Sequence, residues 1–173
     1  MLRVLSLALT VAAFLATVVW LVGYGAREHH EGNLTAYLED NQERVWEELT
    51  TVNRYALRKP DVDRVEILDN DRGLLTWKEY TKYGGYRTFK TLEQRKPDYW
   101  VIEMYESTNG FTGAWKYTLK QEEKRTVITS YEISDNKNVW LRGLWTFSGR
   151  NIYMTRTYKW LRVALFDRLI REL

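Results

Sequence analysis

The chain has 173 residues, a formal net charge of +3 and no cysteine. The missing cysteine excludes disulfides, thiolate metal sites and a cysteine nucleophile, and the near-even charge gives a nucleic-acid partner no support. Eight tryptophans and twelve tyrosines stand against five phenylalanines, an excess of side chains with an apolar body and a polar tip, suited to cavity walls, membrane interfaces and sheet cores.

Residues 4–22 read VLSLALTVAAFLATVVWLV, and no charge follows until Arg27. About 20 apolar residues carry a helix across a bilayer, whereas the apolar part of a secretory signal is roughly 7–15 residues long and ends at small residues. Trp20 and Tyr24 lie at the far end of the run, where headgroup-level aromatic residues belong. These features favour an uncleaved transmembrane anchor over residues 1–26. Arg3 and the terminal amine precede the run, while Arg27 is followed by Glu28 and Glu31. The positive-inside tendency then gives a single-pass protein of the cell membrane, with its domain on the exported (periplasmic or extracellular) side. Residues 27–32 read as a solvated juxtamembrane link holding the two histidines, His29 and His30.

Residues 33–173 are enough for one compact domain. Residues 33–39 alternate as a first strand. Asp40 or Asn41 can cap a helix whose first turn holds Gln42 and Glu43 and whose inner face carries Val45, Trp46, Leu49 and Val52. The period then changes to two, over strands at residues 64–68, 74–82, 86–93, 99–106, 113–120 and 126–133. Turn residues, among them Gly73, Gly84-Gly85 and Asn109-Gly110, separate them. Short connections imply an antiparallel meander. Trp100, Ile102 and Met104 share one face of their strand, and so do Trp115, Tyr117 and Leu119. In the last strand Val127, Thr129, Tyr131 and Ile133 oppose Ile128, Ser130 and Glu132. Met154, Tyr158, Leu161, Leu165 and Leu169 form one stripe of a long C-terminal helix, with Val163, Phe166 and Ile170 on a second side.

This order resembles the START-like superfamily with the helix-grip fold, and within it the polyketide cyclase/dehydratase and lipid-transport branch, the SRPBCC proteins. The resemblance is carried by Val45-Trp46-Glu47-Glu48-Leu49-Thr50, by residues 52–55 and 60–68, by Trp77-Lys78-Glu79, by residues 113–119 and by Thr126-Val127-Ile128-Thr129. Leu57-Arg58 stands where such members often have Trp-Arg. The resemblance implies an α+β fold, with an antiparallel sheet wrapped around a long C-terminal helix, and a cavity between the two; it transfers no reaction.

The expected lining of that cavity is Trp77, Trp100, Met104, Trp115, Tyr117, Tyr131 and Tyr158, holding a lipid or another hydrophobic small molecule by shape and apolar contact. No catalytic residue, metal site or cofactor is expected. Acid–base work would fall to Glu79, Glu103, Glu106 or Glu132, which more often occupy a solvated face. Residues 137–150 mix aromatic and basic groups, so Trp140, Arg142, Trp145 and Phe147 are candidates for membrane contact, unless they pack beneath the C-terminal helix. The leading expectation is a membrane-anchored binding or transport protein for a hydrophobic ligand. The alternatives are a cyclase/dehydratase-type enzyme on a polyketide-like or isoprenoid substrate, and a non-catalytic membrane assembly or stress-related protein. Protein partners are open.

Overall fold

The computed structural model describes residues 2–149 and 151–172, with side chains described over residues 4–165 apart from 55, 57 and 150. The N-terminal run is one helix, α1 (Leu2–Gly25), whose span Val4–Gly25 is long and apolar enough to cross a membrane and lies outside the core. β1 (His29–Leu38) follows. It begins four residues before the expected strand, because His29, His30, Glu31 and Gly32 pair with Asp135, Ser134, Ile133 and Glu132. Most of the expected juxtamembrane link, and both histidines with it, therefore belong to the sheet.

Two short helices, α2 (Gln42–Thr50) and α3 (Val52–Leu57), carry the chain away from β1. Asn41 caps α2 by accepting from the Arg44 amide, which satisfies one of the free N–H groups of the first turn. The meander then runs through β2 (Val62–Asp71), β3 (Leu74–Thr81), β4 (Tyr86–Arg95), β5 (Tyr99–Ser107), β6 (Phe111–Glu122) and β7 (Arg125–Asn136). The sheet has seven strands in the order β1-β7-β6-β5-β4-β3-β2, antiparallel at every pairing. Gly84 and Gly110 take φ of 83° and 75° at two of the hairpin turns, where a side chain would be strained. Two helices close the chain: α4 (Val139–Ser148), which periodicity did not single out, and α5 (Ile152–Glu172).

α5 lies on the inner face of the sheet. Met154, Tyr158, Leu161 and Leu165 are buried in the core cluster, as their spacing requires, while Val163 is exposed. The side chains of Phe166, Leu169 and Ile170 lie outside the described residues. The Tyr158 hydroxyl reaches Ser130 Oγ at 2.7 Å and Leu34 O at 2.9 Å, tying α5 to both strands at the closing edge of the sheet. This is the helix-grip, START-like arrangement.

Trp115 is fully buried. Trp115→Ala is therefore expected to cost about 3–5 kcal/mol, measured as a shift in the denaturant midpoint with an unchanged slope.

Candidate functional site

Six of the seven expected lining residues face the interior, where they are buried in the core cluster. Phe89 stacks on Trp77 at 5.1 Å between ring centroids, Trp77 on Trp100 at 6.3 Å, and Trp100 on Tyr117 at 5.8 Å. Trp115 stacks on Tyr153 of α5 at 4.4 Å. Met104 and Tyr158 close the remaining space, and all of these lining residues are buried. The seventh, Tyr131, is on the opposite face. Its hydroxyl donates to Glu31 at 2.6 Å, on the outside of the sheet. The inward set of β7 is instead Thr126, Ile128, Ser130, Glu132, Ser134 and Asn136, all buried and mostly polar. Thr126, Ser130 and Ser134 find hydrogen-bond partners inside, while Glu132 Oε2 and Asn136 Nδ2 have none among the described residues, so apolar character did not mark the buried face.

Two of the four strand carboxylates are interior. Glu79 accepts from Lys59 at 2.6 Å, both side chains being fully buried, and Arg87 stands 3.2 Å from its other oxygen and 3.0 Å from Asp61. The Lys59 ammonium also lies 5.3 Å from the Phe89 ring centre, 5.7 Å from that of Tyr153 and 5.9 Å from that of Trp160. A buried cation surrounded in this way is neutralised and desolvated together.

Glu132 is the second. Burial pushes its pKa up; the Trp115 indole, the Ser134 hydroxyl and the charge of His30 oppose that shift. Ser134 Oγ donates to Oε1 at 2.8 Å. His30 is half-buried, with Nε2 3.1 Å from Asn151 Oδ1. A cavity of about 20 Å³ beside this group is lined by His30, Ser134, Asn136, Arg142 and Trp145 among others. That is room for about one water and none for a substrate. The other two carboxylates stay outside: Glu103 is half-buried beside Lys90, and Glu106 is exposed. Among the described residues no group of three or more His, Cys, Asp or Glu could hold a metal ion.

A larger groove, about 470 Å³, opens where β1, α2 and α5 meet at the end of the sheet. Leu38 and Leu165, both core residues, form its floor; Tyr37, Arg44 and Arg162 stand round them, with Glu39 and Asp40. Its size is that of a small-molecule site, and its chemistry is amphipathic: an apolar floor under two guanidinium groups and two carboxylates, with Arg44 3.9 Å from Asp40. None of the seven expected lining residues touches it.

The four membrane-contact candidates divide. Trp140 and Phe147 are exposed. Trp145 is half-buried, edge-on to Phe111 at 4.7 Å. Arg142 is buried, which rules out the expected contact with lipid phosphate. Its Nε donates to Gly23 O at 2.9 Å, and its Nη1 to Glu28 at 2.9 Å and Asn136 O at 3.0 Å. Arg142 thus joins α4 to the end of α1, matching a cation to the carbonyl end of that helix. Beside it the two helices touch backbone to backbone. A Cβ on Gly23 would stand 1.9 Å from Val139 O, and one on Gly143 2.1 Å from Val19 O. Sequence reasoning missed this junction. Its signal, two glycines 120 positions apart in otherwise apolar helices, has meaning only once the helices are placed together.

The fold is found in solved structures at low identity. The chain superposes on the Zhui aromatase/cyclase from Streptomyces sp. R1128 with a TM-score of 0.68 and 12% identity, over 82% of this chain and 96% of that one. A START superfamily protein from Mycobacterium smegmatis gives 0.61 and 11%, over 83% and 99%. The di-domain ARO/CYC BexL from the BE-7585A biosynthetic pathway gives 0.63 and 11%; 82% of this chain is covered but only about half, 51%, of that one. No family model matches the chain, and no curated protein matches it in sequence. Likeness at this level shows a START-like fold and carries no substrate with it.

Because the pKa of Glu132 is raised, the folded state holds its proton above the ordinary value of 4.5. Stability is then lost as pH rises from that value through the folded pKa. Glu132→Gln, which cannot ionise, is expected to flatten this dependence. Thermal melts should show the variant gaining on the parent at about pH 8 relative to about pH 4.5.

Proposed function

We propose that the chain is a membrane-tethered START-type binding protein for a lipid or a similar amphipathic small molecule, taken up at the groove between β1, α2 and α5. The observation that carries this reading is the groove itself. It reaches the core at Leu38 and Leu165, between the sheet and the C-terminal helix, and its rim holds Arg44 and Arg162. An aliphatic chain would lie on the leucines and an anionic head would meet the guanidinium groups. The cavity of about 20 Å³ beside Glu132 is too small for a substrate, which argues against catalysis at that carboxylate. The tether is α1, retained rather than cleaved. In support, its last turns are part of the fold: Gly23 is buried, receives Arg142 and packs on α4. The exported side is proposed for the domain on the flanking charges alone.

The packing of the described rings on one another favours a second reading, a non-catalytic assembly or stress-related membrane protein that binds nothing in its core. Titration of the detergent-solubilised full chain with a fluorescent fatty acid separates the two. Saturable binding that weakens about tenfold in Arg162→Glu, a loss of about 1.4 kcal/mol, is the expected result. An uncharged fluorescent alcohol of the same length should not respond to that substitution. Absence of saturable binding by either probe would favour the assembly reading.

A further inference from the structure

α4 is a helix of ten residues with a single charge, Arg142, and that charge is turned inward. Its outward face is an apolar stripe: Trp140, Leu144 and Phe147, at helical spacings of four and three, are 49%, 50% and 64% exposed. An apolar stripe on so short a helix, with no exposed charge beside it, is unusual for a surface in water. The stripe is held next to α1. The glycine crossing at Gly23 and Gly143 seats α4 against the last turns of the apolar span, from Val19 onward. The same turns of α1 carry Trp20 and Tyr24, exposed and stacked at 5.5 Å, a pair suited to the headgroup level. Arg27 and Lys137 are exposed on the adjoining segments, which are joined by the Asn136 N–H donating to Glu28 O.

We infer that α4 is a second membrane element, lying in the bilayer interface against α1, with Trp140, Leu144 and Phe147 among the lipid chains. It rests on the reading that α1 is retained as a span, and it adds that the domain is docked on the membrane in one orientation rather than hung from a flexible tether. Arg27 and Lys137, in place of Arg142, are the cations available to lipid phosphate. The occupant is lipid because the stripe continues the surface of the span, beside the Trp20–Tyr24 pair at its end.

The chain has no cysteine, so one introduced at a time can be labelled uniquely with an environment-sensitive fluorophore. Phe147→Cys, Leu15→Cys on α1 and Tyr83→Cys, an exposed position in the turn between β3 and β4, are each reconstituted as the full chain in phosphatidylcholine–phosphatidylglycerol vesicles. Nitroxide-bearing lipid should quench the label at positions 147 and 15, and aqueous iodide only that at 83. If position 147 is quenched by iodide while position 15 is quenched by lipid, α4 stands in water and the inference falls while the tether survives. If position 15 is also quenched by iodide, the tether fails and takes the inference with it. Protection of position 147 from both quenchers would mean that protein covers the stripe, which equally overturns docking to lipid.

Discussion

The fold rests on the contact between the inner face of the sheet and the helices that cover it, α5 with α2 and α3 beside it. An antiparallel sheet can leave one face in water, but the other must be covered, and here that face is crowded with large rings. Stacking across β4, β3, β5 and β6 runs in one continuous series from Phe89 to Tyr117, and Tyr153 of α5 makes a second stack on Trp115. Each such pair adds roughly 0.5–1.5 kcal/mol to the area it buries. The groove at Leu38 and Leu165 lies away from these rings, at the end of the sheet.

The same crowding explains where the polar interior groups are. Lys59, Glu79 and Arg87 form one cluster, at the end of α3 and across β3 and β4. Glu132, Ser134 and Asn136 form the other, along β7 beside α1 and α4. The first is held by ion pairs, Glu79 lying between Lys59 and Arg87, and the second by hydrogen bonds that leave Glu132 Oε2 and Asn136 Nδ2 without one among the described residues. The second cluster is continuous with α1 through Arg142, which bonds α1, Glu28 and β7 at once. The N-terminal apolar helix and the domain therefore share one set of bonds.

Much of the fold was legible in the sequence and the site was not, for identifiable reasons. The strands were bounded by turn residues, and the stripe from Met154 to Leu165 marked α5, because period and turn chemistry are local properties. Parity also placed Trp100, Met104, Trp115 and Tyr117 correctly. It could not place Tyr131, since the buried face of β7 is the more polar one and its partners, Arg142 and Tyr158, come from helices further along the chain. α4 has apolar residues almost all the way round, so it shows no single stripe until α1 covers one side. Nor can composition tell a cavity wall from a packed core, because both need the same rings.

The packing of the described rings on one another and on α5 implies a closed grip, with no space for a guest among them. Xenon enters dry apolar cavities and leaves packed cores empty. Diffraction from crystals of the detergent-solubilised protein held under xenon pressure tests this directly. No xenon is expected among Trp77, Trp100, Trp115 and Met154. An ordered xenon atom among those side chains would contradict a closed grip, and would return the binding site to the interior of the sheet.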